Sequence, residues 1–179
     1  MDYQTGRYHA CMAWIAPRVH RADEPFAAGE RPMLEGFLDW GRASLLRKCE
    51  GLTGEQLAIR ACPPSDMSLL GLIRHMTNVE RNWFRRRFGG QELPTPYPAG
   101  TDFGSADGDS AGQDWTALIA EQQAASDAVT GLTLDAVYVH DKWGTMTLRW
   151  LYSHMIAEYA GHGGPADLLR ERVDGATRL

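Results

Sequence analysis

The sequence predicts an all-α protein, a four-helix bundle that allows a small hairpin before the last helix. Three observations carry that expectation. Four long stretches repeat apolar residues at helical spacing. Capping residues, glycines and prolines mark the breaks between them. No internal repeat and no long alternating strand pattern interrupts the series. Each apolar stripe needs a partner surface, and four such helices satisfy one another most simply in a bundle.

The first helix is expected from about Pro32 to Cys49. Pro32 suits a first turn, where a missing N–H costs nothing, and Leu34, Phe37, Leu38, Leu45 and Cys49 form the apolar face. Gly51 fits the stop. Thr53 and Gln56 make a capping box that opens a short helix through Leu57 and Ile59, ended by Pro63 and Pro64. Ser68 caps the second long helix, which runs to about Phe88. Its stripe is Leu69, Leu72, Ile73, Met76, Val79 and Trp83, and its opposite side carries Arg74, Glu80, Arg81 and Arg85. Gly89 and Gly90 stop it.

Gln91 to Ser110 is aperiodic and rich in Gly, Pro and Asp, as a lid, a binding loop or a mobile connection would be. Ser110 with Gln113 reads as another capping box. The third long helix buries Trp115, Leu118, Ile119, Ala125 and Val129 and ends at Gly131. Gly131 to Thr147 is a candidate crossover, and within it Val137 to Val139 and the turn at Lys142, Trp143 and Gly144 allow the hairpin. Thr147 caps the fourth long helix, which carries Leu148, Leu151, Met155, Tyr159, Leu168 and Leu169.

Composition bounds function. A length of 179 residues suits one domain, 1–179. Residues 1–17 are expected to be an irregular N-terminal extension, too short and too broken for a signal peptide. A formal net charge of −5 speaks against non-specific nucleic-acid binding, which needs a basic surface. No apolar run is long enough to span a membrane. Cys11, Cys49 and Cys62 form no CxxC pair and read as reduced thiols in a cytoplasm.

The chemistry concentrates in the histidines. His9 and His20 lie in unpatterned sequence and His140 in the hairpin, but His75, His154 and His162 fall inside helices. His154, Glu158 and His162 are spaced four apart, so neighbours in the series share a helix face. Glu158 and His162 can therefore point at one atom, and His75 lies toward the apolar side of its own helix. Two imidazoles and a carboxylate suit a divalent metal with an open position, in the way bundle interiors hold metals. Spacing alone leaves a second reading open: His75 as a core histidine satisfied by a backbone carbonyl or by Glu158, and His154 resting on Trp150. His154 stands a full turn before Glu158 and suits a pocket wall better than a ligand.

The stretch Ser68-Leu69-Leu70-Gly71-Leu72-Ile73-Arg74-His75, continuing to Trp83 and Phe84, and the stretch from Arg149 through His154 and Glu158 to His162 resemble the DinB-like superfamily. They look closest to its mycothiol-associated branch. Glu24 to Phe26, Glu30 to Gly36, Cys49 to Thr53 and Ala166 to Glu171 extend the likeness over most of the chain. The resemblance implies an up-down four-helix bundle with a long crossover. It also implies a metal held by His75, Glu158 and His162. The branch differs from this chain after Ala160, where its usual pattern is Arg-His-x-Gly-His-Ala-Asp. Gly161 stands for the Arg and Pro165 for the second His. Pro165 should kink the helix, at about 3 kcal/mol in an ordinary interior, and reshape the pocket.

The resemblance implies a metal-dependent enzyme that uses a low-molecular-weight thiol of the mycothiol type in S-transfer to, or isomerisation of, an electrophilic small molecule. Zinc is the expected metal, with nickel or iron as alternatives. Arg74, Arg81 and Arg85 are candidates to bind an anionic group of thiol or substrate, and His154, Tyr159, Arg81 and Trp83 are candidate pocket residues. Asp167 and Arg170 are expected to pair. Two other readings stand beside this one: a specialised biosynthetic enzyme using metal-bound water or Lewis-acid chemistry, and a non-enzymatic ligand-binding or stress-associated dimer. A homodimer is compatible with any of them, and neither nucleic acid nor membrane is expected as a partner.

Overall fold

The computed structural model describes residues 13–177. It is mostly helical, with one two-stranded hairpin among the described residues. His9, Cys11 and most of the expected N-terminal extension lie outside the described residues. The end of that extension is fastened to the body. Ile15 bridges Thr53, the Ala16 amide donates to the Leu52 carbonyl at 2.9 Å, and Trp14 packs on Trp115 with ring centroids 5.9 Å apart.

Helix α1 (Glu30–Arg47) begins ahead of Pro32, because Gly29 enters it in an extended conformation and Glu30 complements the positive end of the helix dipole. Its buried face is Leu38, Arg42, Leu45 and Leu46, with Cys49 buried in the turn that follows. Phe37, expected inside, is 38 % exposed. Helix α2 (Gly54–Ala58) has the full capping box: Gln56 N donates to Thr53 Oγ1 at 3.2 Å, and Thr53 N donates to Gln56 Oε1 at 2.9 Å.

Helix α3 (Leu69–Glu80) is capped by Ser68, whose hydroxyl accepts from Gly71 N at 3.0 Å. It continues without a break as a π-helical segment, Arg81–Phe88. The widened turn carries the buried stripe from Met76 to Trp83 and Phe84 and presents Arg81 and Arg85 to the next long helix. Such segments are rare and gather at functional sites.

The connection 91–110 holds a short helix α4 (Thr101–Gly104) and a 3₁₀ turn at Gly108–Ser110. It is pinned to α3. The Asn78 side chain donates to Tyr97 O at 2.9 Å and accepts from Tyr97 N at 3.0 Å, and Arg81 donates to Pro94 O. Helix α5 (Ala111–Val129) follows. The capping box expected from Ser110 and Gln113 does not form. The Ser110 hydroxyl instead bonds Asp107 O and Asp114 Oδ2, both at 2.8 Å. Ile119 is 45 % exposed, and Glu121 is buried on the side expected for an apolar residue.

Strands β1 (Val137–His140) and β2 (Gly144–Thr147) pair antiparallel, with Val137 opposite Thr147. Gly144 takes a left-handed φ of 77° at the turn. Helix α6 (Leu148–Asp174) is capped by Thr147, which accepts from Trp150 N at 3.1 Å, and runs on through Pro165. Helix α1 lies along α6, α3 lies along α5, and α3 also meets α6. No helix of the described residues is long and apolar enough to cross a membrane. Cys49 is fully buried, and burial pushes its thiol up to about 12, so it packs as a small inert hydrophobe.

A sealed polar network ties the helices together. Arg42 donates to Glu80 through Nε at 2.8 Å and Nη2 at 2.7 Å. The Tyr159 hydroxyl donates to Glu80 Oε1 at 2.8 Å and accepts from Gln122 Nε2 at 3.0 Å. Burial and the Glu80 charge hold Tyr159 well above its ordinary range, so it remains a donor. Glu80→Ala removes the buried carboxylate that takes Nε and Nη2 of Arg42, leaving only the Nη1 bonds to Asp39 and Ser126, and should cost about 3–5 kcal/mol, read as a lower urea midpoint. Tyr159→Phe should cost about 1.5–3 kcal/mol. Arg149→Ala, on an exposed clamp to Glu30 and Asp135, should leave the midpoint nearly unmoved. If Glu80→Ala behaves like Arg149→Ala, the network does not hold the helices.

Candidate metal centre

His75 projects from α3 toward Glu158 and His162 on consecutive turns of α6. Each of the three offers one ligand atom, and these atoms all lie within 4.8 Å of one another. The His75 and His162 rings meet edge to face with centroids 4.8 Å apart. Glu158 Oε2 lies 3.6 Å from His162 Nε2, and Glu158 Oε1 lies 3.6 Å from His154 Nε2. Both distances are too long for hydrogen bonds, so Glu158 is not consumed by its neighbours on the helix.

His75 is oriented from the connection 91–110. Its Nδ1 lies 3.0 Å from Asp102 Oδ2, and its ring stacks on Phe103 at 5.2 Å. An ionised carboxylate only accepts, so Nδ1 carries the proton and Nε2 keeps its lone pair free for a metal. A carboxylate on the outer nitrogen of a metal-binding histidine is the usual supporting arrangement in metal centres. Gly71 permits it: a Cβ there would stand 2.8 Å from the Phe103 ring. Neither Asp102 nor Phe103 was signalled by the sequence, because their relation to His75 exists only across the fold.

His154 is not drawn into the cluster as a ligand. Its ring lies flat on Trp150, centroids 4.8 Å apart and planes 8° from parallel, with Trp83 edge-on to it. Trp83 forms a shared wall between the His75 cleft, about 280 Å³, and an aromatic cleft of about 570 Å³ that His154 lines. Tyr159, a candidate pocket residue, turns into the core network and is away from the His75 cleft.

The three arginines expected to meet an anion are each taken by a protein carboxylate. Arg74 donates to Asp114 Oδ2 at 2.8 Å. Arg81 and Arg85 share Glu121, with Arg81 Nη2 at 2.5 Å from Oε2 and Arg85 Nη1 at 3.1 Å from Oε1. Arg81 still lines the His75 cleft, with its charge met from behind. Glu80, its neighbour in sequence, serves Arg42 instead. Asp167 and Arg170 do not pair: Asp167 meets Lys48, and Arg170 meets Asp174. Gly163 and Gly164 line a separate cleft beside Phe37 and Trp40 on the α1 side.

The sequence model of the family described as mycothiol-S-transferase (MST) matches residues 33–175. That range contains every residue of the cluster and Asp102. No curated protein and no solved structure matches the chain.

Burial, reinforced by the adjacent His75, holds the His162 imidazole below its ordinary pKa, against the pull of Glu158. In the unfolded chain that ring protonates near pH ~6.5. Just below that pH the unfolded state binds the proton first, so stability falls as pH falls. Metal-free protein should therefore lose urea resistance between about pH 7 and pH 5, with a shallower slope in His162→Gln. Equal slopes would remove His162 as the source.

Proposed function

The chain belongs to the mycothiol-S-transferase family, and on that premise we propose that it is a metal-dependent enzyme transferring a low-molecular-weight thiol of the mycothiol type to an electrophilic small molecule. We read the scaffold as one domain, an up-down four-helix bundle of α1, α3 with its π continuation, α5 and α6.

The observation that carries this reading is the convergence of His75, Glu158 and His162, with their ligand atoms within 4.8 Å of one another. Two imidazole nitrogens and a carboxylate oxygen suit zinc, with nickel or iron as alternatives, and three protein ligands leave an open position. A divalent ion held there supplies a Lewis acid that favours thiolate over thiol at neutral pH. In the transfer, the thiol sulfur bonds to the electrophilic carbon as that carbon's bond to its leaving group breaks; the leaving group departs with the bonding pair and the thiol proton is given up to solvent. The chain's own residues have defined tasks. Asp102 fixes the His75 tautomer and, with Phe103, the plane of its ring. Glu158 and His162 are presented by successive turns of α6. Trp83 walls the His75 cleft, with His154 beyond it in the aromatic cleft.

Protein purified without a histidine tag should bind about one zinc per chain, and His75→Ala and His162→Ala should abolish this. Asp102→Asn should weaken zinc binding about 10–100-fold with little change in melting temperature. Loaded protein should consume mycothiol when offered a panel of electrophiles. Turnover that needs no thiol would replace this reading with hydrolytic or Lewis-acid chemistry. Failure to bind any metal would leave a ligand-binding protein.

A further inference from the structure

The π-helical segment ends in three arginines, and they are not equivalent. Arg85 is paired with Glu121. Among the described residues, no carboxylate lies within ion-pair distance of Arg86 or Arg87. Arg87 is half-buried, its Nη1 is closed to solvent, and that nitrogen has no hydrogen-bond partner. The guanidinium lies over the Trp83 ring at 3.8 Å, with Trp143 at 5.7 Å and Tyr138 at 6.0 Å. Burial pulls its pKa below the ordinary guanidinium value, and the neighbouring Arg86 adds to this against Tyr138. The helix C-terminus accounts for a preference for cations here. It does not account for burying part of one without an acceptor, since buried polar groups in native proteins are nearly always satisfied.

Arg87 also borders open space. Arg86, Arg87, Asn82 and Tyr138 line a cleft of about 650 Å³. Arg86 and Asn82 also line the cleft that contains His75 and Asp102. The two spaces share those walls, so they lie side by side along the same stretch of helix. Glu92 stands on the first cleft as well and opposes a dianion more than a monoanion. A guanidinium fork matches a carboxylate in bidentate fashion.

We propose that Arg87, with Arg86 and Asn82, binds the carboxylate of the small-molecule substrate and directs the rest of that molecule toward His75. The catalytic use of this site rests on the function proposed above, while the binding itself does not. Metal-free protein therefore separates the two: carboxylate binding that persists in His75→Ala stands even where thiol transfer fails.

The test is titration calorimetry of the full-length, chelator-treated protein with benzoate, methyl benzoate and phenyl phosphate at constant ionic strength. Benzoate should bind saturably and methyl benzoate should not. Binding should weaken by about tenfold or more in Arg87→Met, which keeps the stem on Trp83, and severalfold in Arg86→Gln. Without ligand, Arg87→Met should melt no lower than the parent, because it removes an unpaired charge. A lower melting temperature with benzoate binding unchanged would make Arg87 a structural prop and overturn the proposal. Absence of saturable benzoate binding would overturn it too, and tighter binding of phenyl phosphate would overturn the carboxylate assignment. Arg86 is exposed, so Arg86→Gln decides the matter if Arg87→Met does not fold.

Discussion

One carboxylate sets the geometry on which the candidate site depends. Glu80 is the last residue of α3 before the π segment, and it is 0 % exposed. It receives two bonds from Arg42 on α1 and one from Tyr159 on α6, and Tyr159 is bonded in turn by Gln122 on α5. Four helices thus meet through a single buried group. Tyr159 follows Glu158 directly, so the bond that fixes Tyr159 in the core also fixes the rotation of α6 that turns Glu158 outward to His75. Burying such a pair is a poor source of stability, because desolvation consumes much of the attraction. A sliding or rotated α6 would withdraw the Tyr159 hydroxyl from Glu80 and leave buried oxygens a hydrogen bond short, and that makes alternative registers costly.

The same logic sorts the arginines of α3 and its continuation. Arg74 and Arg81 look across to α5, where Asp114 and Glu121 are buried to receive them. Those pairs hold α3 to α5 and take the charges out of play for a ligand. Arg86 and Arg87 make no ion pair with α5, and Arg87 lies instead beside Tyr138 and Trp143 of the hairpin, which offer ring faces and no negative charge. The helix therefore has a charge-neutral half that builds the fold and a charge-rich end open to a partner.

What the sequence revealed follows from this division. The convergence of His75, Glu158 and His162 was legible because helical spacing joins two of them and the apolar stripe around Leu72 and Met76 orients the third. The capping box at Thr53, the Thr147 cap and the hairpin were legible because each is a local arrangement of backbone and neighbouring side chains. Asp102 was not, since 27 residues separate it from His75 and nothing periodic links them. Glu80 and Glu121 were hidden for another reason. A charged residue on a helix reads as a solvent face, and only knowledge of its partner shows that it is buried. Taking Ile119 as buried and passing over Glu121 is that same error on α5.

The stretch after Ala160 shows how a weak helix persists beside a site. Gly161, Gly163, Gly164 and Pro165 are all poor helix residues, and Pro165 has no N–H to offer the Gly161 carbonyl. A Cβ at any of the three glycines would meet open space, so crowding does not demand them. Gly161 is exposed, which lets water take the bond that proline forfeits. The helix is then held from its far side. Ala166 and Leu169 are buried, and Arg170 donates to the carbonyls of Lys48 and Glu50 at 3.0 and 2.8 Å where α1 ends. Tyr159 on one flank and Arg170 on the other span the weak segment. His162 falls between them, so its place near Glu158 depends on those anchors more than on the intrinsic preference of the residues around it.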